Sequence, residues 1–191
     1  MRQILSGDVD LGFAVRSSAD SKSFLLKSEA KNLEAHVIDY GGSFLAVGPK
    51  CPLYGRKNVS MDEAVKFTQI ALDMEVQAKD AYWSDQGRYE FFDASHIVFC
   101  NSISACEYFL LTTDSVSFTS PWTTGCYKNE KIHVIPVLPT PSMQELLWIK
   151  RSGEPLSINE ADFIASVYKQ LGKDVPHEIS KIINIQTTLP I

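Results

Sequence analysis

Two residues of this chain have the chemistry of a thiol nucleophile and its base. Cys106 lies in Ser104-Ala105-Cys106-Glu107, whose serine and glutamate have capping-box spacing, so the pattern predicts Cys106 in the first turn of a helix. The field of a helix start stabilises a thiolate. His133, in the strand-like pattern Ile132-His133-Val134, is the candidate base. Three polar residues are equally suited by sequence to orient its imidazole: Asn101, Asp114 and Asn129. The alternative is that thiol and imidazole are simply packed and unreactive.

A second candidate site is a positively charged loop ahead of a helix start. Residues 48–59 contain two prolines and two glycines and include Lys50, Arg56 and Lys57. Ser60 then opens a Ser-x-x-Glu capping box, and the N–H groups and partial positive charge of a helix start suit an anion. The spacing is not that of a nucleotide phosphate loop, so the prediction is an anionic small ligand. The alternative is a solvated turn, and the same charge field is expected to lower the pKa of Cys51.

Two further segments predict contacts with a protein partner. The aromatic segment 82–92 contains Tyr82, Trp83 and Arg88, which are residue types that dominate interfaces. The tail 178–191 contains Ile183 and Ile185 within an apolar, β-prone run. Such a strand completes its own sheet or adds to the edge of a neighbouring chain, which predicts a second protein or a homodimer as partner. The alternative for the aromatic segment is that it closes a sheet edge.

Composition excludes several classes of function. The chain has 191 residues, 45% of them hydrophobic and 21% charged, with a net charge of −5. An acidic chain without a clustered basic face predicts no nucleic-acid partner. The four cysteines lack metal-ligand or redox spacing, so we expect reduced thiols, no metal and no cofactor. The first residues lack a long apolar run, which predicts no membrane contact and a cytoplasmic location.

The elements predicted from periodicity define a single α+β domain over residues 1–191. We expect a mostly antiparallel sheet of about six to eight strands, covered by one long central helix and two C-terminal helices. The order is a β meander over 1–58 (including a strand at 23–27), a helix over 60–81, central strands over 89–138 (including 108–111), helices over 142–172 and the apolar tail. Ser60, Ser142 and Ser157 each begin a Ser-x-x-Glu motif and mark the three helix starts.

The leading functional hypothesis is a non-catalytic binding or regulatory domain that acts through protein–protein contacts. It is based on large apolar residues in loops and on the lack of catalytic motifs. The alternatives are a small thiol-dependent hydrolase or transferase that uses Cys106 and His133, or a binder of an anionic small ligand at the 50–60 loop.

Overall fold

The computed structural model describes residues 1–18, 21–72, 96–140 and 143–187. In these residues the helices are α1 (Arg2–Ser6), α2 (Ser21–Glu29), α3 (Met61–Ala64), α4 (Ile103–Thr112), α5 (Ile158–Gln170) and α6 (His177–Thr187). The strands are β1 (Leu11–Ser17), β2 (Leu33–Gly41), β3 (Phe44–Val47), β4 (Gln69–Leu72), β5 (Ile97–Cys100), β6 (Val116–Thr119), β7 (His133–Pro136) and β8 (Gln144–Arg151). This mixture confirms the α+β class.

The strands form two sheets, and the chain divides into two compact units. One sheet has the order β1-β8-β2 and the other the order β5-β4-β6-β3-β7. Unit 1 comprises Met1–Ala14, Phe24–Ile38 and Leu147–Ile191, and unit 2 comprises Val15–Ser23 and Asp39–Leu146. The four boundaries between the units therefore fall within β1, α2, β2 and β8.

Unit 1 has a small apolar core covered by its own helices. Ile4, Leu33, Leu147 and Ile149 form one buried cluster. Helix α5 buries Ala161, Ile164, Ala165 and Tyr168, which lie three or four residues apart on one face, and it contacts α6. At its start, Ser157 Oγ accepts the Glu160 N–H over 3.3 Å, while the Glu160 carboxylate accepts the Ser157 N–H over 2.6 Å. The capping box predicted at Ser157 is therefore confirmed.

Unit 2 is built on a mixed five-stranded sheet. β3 pairs with β6 and β7 in antiparallel fashion, whereas β4 runs parallel to β5 and β6. One face carries the Leu45 cluster, namely Leu45, Val47, Cys51, Leu53, Val59, Ala64, Val116, Ile135 and Val137. The opposite face carries the Cys106 cluster, namely Ala46, Ile70, Cys100, Cys106, Leu110 and Ile132. Leu45, Ala46 and Val47 alternate between the clusters because successive strand side chains point to opposite faces.

Helix α4 lies so close to β3 that one position accepts only glycine. A Cβ atom added to Gly48, directly after β3, would stand 1.8 Å from the Leu110 carbonyl oxygen. Real Cβ atoms do not approach backbone oxygen so closely, so the missing side chain of Gly48 is what allows α4 to pack on the sheet.

The predicted helix over 60–81 is wrong. Ser60 does form a capping box with Glu63, but α3 ends at Ala64 and residues 69–72 form the strand β4. Gln69 through Ala71 are buried between β5 and β6, so pairing with two neighbouring strands overrides the three- and four-residue spacing of the apolar side chains. The remainder of that predicted helix, from residue 73 onward, lies outside the described residues.

The helix predicted from Ser142 is also wrong, because residues 144–151 form β8. Six consecutive residues of β8 are buried, from Gln144 to Ile149. The apolar residues of β8, Leu146 to Ile149, are consecutive rather than alternating, so the strand lacks the pattern that distinguishes it from a helix. Ser142 itself lies outside the described residues.

Three predicted strands are helices. Residues 23–27 belong to α2, residues 108–111 belong to α4, and the tail forms α6 up to Thr187. Short apolar runs fit either state, and the local cap decides between them. For α4 that cap is Ser102, whose Oγ accepts the Ala105 N–H over 3.2 Å. The cap lies two residues before the predicted Ser104.

A candidate ligand cavity in unit 2

Unit 2 contains a partly open cavity of about 170 Å³. We call it the unit 2 cavity. Its walls come from β4, β6, the start of α4 and the segment 123–127: Gln69, Ile70, Ala71, Leu72, Ile103, Ser117, Phe118, Thr119, Thr123, Cys126 and Tyr127. Four of these residues carry hydroxyls and Gln69 carries an amide, so the cavity combines apolar walls with a polar lining.

The strand β6 positions two of the hydroxyls. Phe118 packs against the Leu45 cluster on one face of the sheet. Because side chains alternate along a strand, Ser117 and Thr119 project from the opposite face. They are only 4% and 5% exposed, so these hydroxyls are buried.

Ser117 is the acceptor of two hydrogen bonds. The Tyr127 hydroxyl donates to Ser117 Oγ over 3.0 Å, and the Cys106 thiol donates to the same oxygen over 3.7 Å. No described residue accepts the hydroxyl proton of Ser117 itself. Ser117 therefore presents an O–H donor to a molecule in the cavity.

Thr123 is the centre of a second group of hydroxyls. Its Oγ1 lies 2.9 Å from Thr119 Oγ1 and 2.7 Å from Ser120 Oγ, and it accepts the Ser120 N–H over 3.1 Å. It also donates to the Ser120 carbonyl over 3.3 Å. Either threonine can be the donor in the Thr119–Thr123 bond, and in both cases Thr119 Oγ1 keeps at least one lone pair that can accept a hydrogen bond.

The described lining carries no formal charge. Burial and the neighbouring Cys106 thiol raise the pKa of Tyr127 above its usual range, so its phenol stays protonated. Burial also raises the pKa of Cys100, beside Cys106, to about 11. In the residues described, the unit 2 cavity is thus a neutral site that recognises ligands by hydrogen bonds and by shape.

A second cavity, in unit 1, has a different chemistry. It measures about 460 Å³ and is lined by Asp10, Lys150, Glu154, Pro155, Leu156, Ser157 and Glu160. Its charged groups already have partners within the protein: Lys150 Nζ lies 2.9 Å from a Glu34 carboxylate oxygen, and Arg151 pairs with Asp10 and Glu154. We therefore place the candidate ligand site in unit 2.

The structure does not bring Cys106 and His133 together. Cys106 is 2% exposed within the Cys106 cluster. His133 pairs with Val47, which belongs to the Leu45 cluster on the other face, and its ring stacks on Tyr54 with 4.1 Å between centroids. A sheet separates the two side chains, so they cannot exchange a proton directly. Cys106 also lies beyond the first turn of α4, because the cap is Ser102.

The predicted anion loop is occupied by the chain's own carboxylate. Glu63 accepts hydrogen bonds from the Ser60 N–H and hydroxyl, each over 3.0 Å, and its other oxygen lies 3.0 Å from Arg56 Nη2. These contacts lower the pKa of Glu63 to about 2. Lys50 and Lys57 are exposed. Burial raises the pKa of Cys51, which is opposite to the expected direction.

The predicted partner residues are only partly described. Tyr82, Trp83 and Arg88 lie outside the described residues. Ile183 is half-buried on α6, and Ile185 belongs to the same helix. Helix α6 contacts α5 within unit 1, so this part of the tail packs as a helix rather than forming a strand arm.

Sequence reasoning missed the residues of the cavity, although one signal was present. Val116-Ser117-Phe118-Thr119 alternates apolar and polar side chains, a pattern typical of a strand with one face in water. Here the polar face is buried around a cavity instead. Nothing local marks Tyr127 as its partner, because that contact depends on the tertiary fold.

The described ranges contain neither a metal centre nor a membrane-spanning helix. No group of three or more histidine, cysteine or acidic side chains in them is arranged to hold a metal ion. Among the same ranges, no helix has the length and hydropathy needed to cross a lipid bilayer.

Comparison with known proteins relates the fold to transcriptional regulators. The chain is similar to a full-length BenM mutant, with a TM-score of 0.63 and 12% identity over 92% of this chain and 56% of that one. It is similar to the effector binding domain of a BenM variant, with a TM-score of 0.62 and 12% identity, covering 92% of this chain and 78% of that domain. It is also similar to CbnR, a LysR family transcriptional regulator, with a TM-score of 0.52 and 12% identity over 80% and 50% of the two chains. This chain thus spans little more than half of full-length BenM.

No family model matches the sequence. No curated protein matches it either. At these identities the similarity establishes the fold alone. It contradicts the leading hypothesis of a protein–protein module, because the domain that shares the fold is named for the effector that it binds. Of the sequence-based alternatives, a small-ligand binder agrees better with the fold.

Proposed function

We propose that this chain is the ligand-binding part of a transcriptional regulator and that the unit 2 cavity forms part of its ligand site. The observation that carries the proposal is the match of 92% of the chain to an effector binding domain. The partly open, hydroxyl-lined cavity supports it independently, because apolar walls with a few convergent polar groups are typical of small-molecule sites.

The size of the cavity supports a small effector. A dry protein cavity of roughly 150 Å³ holds a benzene molecule. The unit 2 cavity, at about 170 Å³, is of the same order. One of the structural neighbours is a BenM effector binding domain with its effector benzoate, a ligand with a single ring.

A regulatory role changes the expectation about nucleic acid. A transcriptional regulator acts on DNA, so the predicted lack of a nucleic-acid partner is not supported for a whole protein of this kind. For this chain itself, the net charge of −5 still disfavours contacts with DNA phosphates. Self-association and a cytoplasmic location stay predictions from the sequence.

A thermal-shift panel on the full chain tests the proposal. The probes are single-ring compounds with neutral and anionic groups: benzamide, benzoate, benzyl alcohol, phenol and nicotinamide. A compound present at about 100 times its Kd stabilises the folded state by about 2.7 kcal/mol, which raises Tm by roughly 5–10 °C.

Two isosteric variants locate the binding site. Thr119→Val removes a hydroxyl of the cavity and is expected to reduce the shift. Thr112→Val removes an exposed hydroxyl whose only described bond is to the Tyr108 carbonyl, over 2.6 Å, and is expected to keep the shift. A panel in which no compound raises Tm would overturn the proposal, as would equal shifts in wild type and Thr119→Val.

A further inference from the structure

We infer that the ligand of the unit 2 cavity is an uncharged, single-ring compound that carries a hydrogen-bond acceptor beside a donor, as a primary carboxamide does. The inference rests on the proposed function and specifies the chemistry of its ligand. It is based on the charge, the size and the polarity pattern of the described lining.

The charge of the lining disfavours a carboxylate. Removing an ionised group from water is very costly unless a partner charge or several donors replace the lost hydration. Among the lining residues that the structure describes, none is Lys, Arg or His. The phenol of Tyr127 is kept neutral and already donates to Ser117, so it offers no charge to a ligand.

Within the described lining, the start of α4 is the feature that attracts an anion. Ile103, its first residue, lines the cavity, and a helix start carries a partial positive charge. However, the Ser102 hydroxyl already accepts the Ala105 N–H at this end. The partial charge alone does not offset the cost of burying a full negative charge in an otherwise neutral site.

The polar groups of β6 match a donor–acceptor pair. Ser117 presents an O–H donor, because its oxygen already accepts from both Tyr127 and Cys106. Thr119 keeps at least one free lone pair whichever of the two threonines donates in the Thr119–Thr123 bond. A carboxamide satisfies both residues at once, with its carbonyl facing Ser117 and its N–H group facing Thr119. A carboxylate has no donor for Thr119.

The walls and the volume select the body of the ligand. Ile70, Leu72 and Ile103 supply apolar surface. The volume of about 170 Å³ is far below the roughly 300–1,000 Å³ of sites for larger ligands, so a single ring with one substituent fills it.

Benzamide and benzoate provide the test, because they share a ring and differ in charge and in the donor group. Their affinities for the full chain at neutral pH are measured by calorimetry. We expect benzamide to bind at least tenfold more tightly than benzoate. Ser117→Ala is expected to weaken benzamide about tenfold, whereas Ser166→Ala, an exposed serine of α5 in unit 1, leaves the affinity unchanged.

The outcomes separate this inference from the proposed function. Benzoate binding as tightly as benzamide overturns the neutral ligand class while the ligand site stands. If other probes of the panel raise Tm but neither benzamide nor benzoate binds, the neutral ligand class is likewise overturned while the ligand site stands. If no probe of the panel binds, both proposals fail. If Ser117→Ala lowers Tm in the absence of ligand, this variant does not test the ligand contact. The relative affinities of benzamide and benzoate for the wild-type chain then decide whether the ligand is neutral.

Discussion

The hydroxyl of Tyr127 donates to Ser117 Oγ across 3.0 Å, and the same oxygen accepts the Cys106 thiol. Ser117 thereby connects the strand β6 to helix α4 and to the segment that follows the short 3-10 turn Thr124–Cys126. Three elements that contribute to the unit 2 cavity thus share one buried hydroxyl. A change at any of these side chains is expected to affect both stability and the cavity.

The ionisation of Tyr127 is expected to destabilise the protein at high pH. An unfolded tyrosine has a pKa near 10, whereas burial raises the pKa of Tyr127 in the folded state. The unfolded chain therefore releases the proton first, so the free energy of unfolding falls as pH rises above about 10. Urea unfolding at several alkaline pH values measures this decline.

The control for that prediction is Tyr127→Phe. It removes the part-buried hydrogen bond to Ser117, so we expect it to lower the free energy of unfolding by about 1 kcal/mol at neutral pH. The free energy of unfolding of Tyr127→Phe should also decline less steeply at high pH than that of wild type. Burial raises the pKa of Tyr168 too, but both proteins contain Tyr168, so its contribution is the same in each. Parallel curves for the two proteins would contradict the assignment.

The four thiols are expected to react at different rates. Cys126 is exposed, whereas Cys51, Cys100 and Cys106 are buried. Burial raises the pKa of Cys100 to about 11, which leaves very little thiolate at neutral pH. Native protein treated with a thiol reagent should label one cysteine quickly and the remaining three only after unfolding. Cys126→Ser should abolish the fast phase, and a fast phase that persists would show that a buried thiol is accessible.

Gly48→Ala is expected to be strongly destabilising. The new methyl group would lie 1.8 Å from the Leu110 carbonyl oxygen, and because that atom is backbone, α4 or β3 must shift. We expect a loss of at least about 3 kcal/mol, as for severe overpacking. Gly125→Ala is the matched control, since no atom lies within 4 Å of the position that its Cβ would take, and it should be nearly neutral. Chemical denaturation of the two variants distinguishes the steric effect from the general cost of replacing glycine.

Arg16 and Glu145 form a buried ion pair in unit 2, with side chains that are 6% and 2% exposed. Glu145→Ala leaves the guanidinium without this carboxylate in a desolvated place, so we expect a loss of about 3–5 kcal/mol. The double variant Arg16→Met with Glu145→Leu removes both charges and should recover most of that loss. Together with the single variants Arg16→Met and Glu145→Leu, the double variant gives the coupling from unfolding free energies, and additive losses would show that the pair is not coupled.

The helix starts show what sequence can and cannot establish. Ser60 and Ser157 form their capping boxes because serine and glutamate are close enough along the chain to bond wherever the backbone allows it. Ser142-x-x-Glu145 has the same letters, yet Glu145 instead pairs with Arg16, 129 residues away. A local motif predicts structure only where no distant partner competes for its side chains.

The candidate site depended still more on long-range contacts. The sequence shows that apolar and polar side chains alternate from Val116 to Thr119, but it does not show whether the polar face of β6 contacts water or lines a cavity. Similarly, the sequence correctly predicts a strand at His133. It does not predict that His133 and Cys106 lie on opposite faces of the sheet, because that depends on the pairing of β7 with β3. The order of strands in the sheet, which no local pattern encodes, decides both cases.

Removing the cap at Ser157 should destabilise unit 1 selectively. Ser157→Ala leaves the Glu160 N–H without its acceptor and frees the Glu160 carboxylate, so we expect a loss of about 1 kcal/mol. Ser157→Asp retains an acceptor at the same position and should recover most of it. Ser166→Ala, on the same helix but away from its start, serves as the control. Amide hydrogen exchange should show faster exchange across residues 158–170 in Ser157→Ala and unchanged exchange in β3 and β6 of unit 2, because the hydrogen bonds of the cap join Ser157 to Glu160 of α5. Equal acceleration in both units would mean that α5 and the five-stranded sheet unfold as one cooperative body.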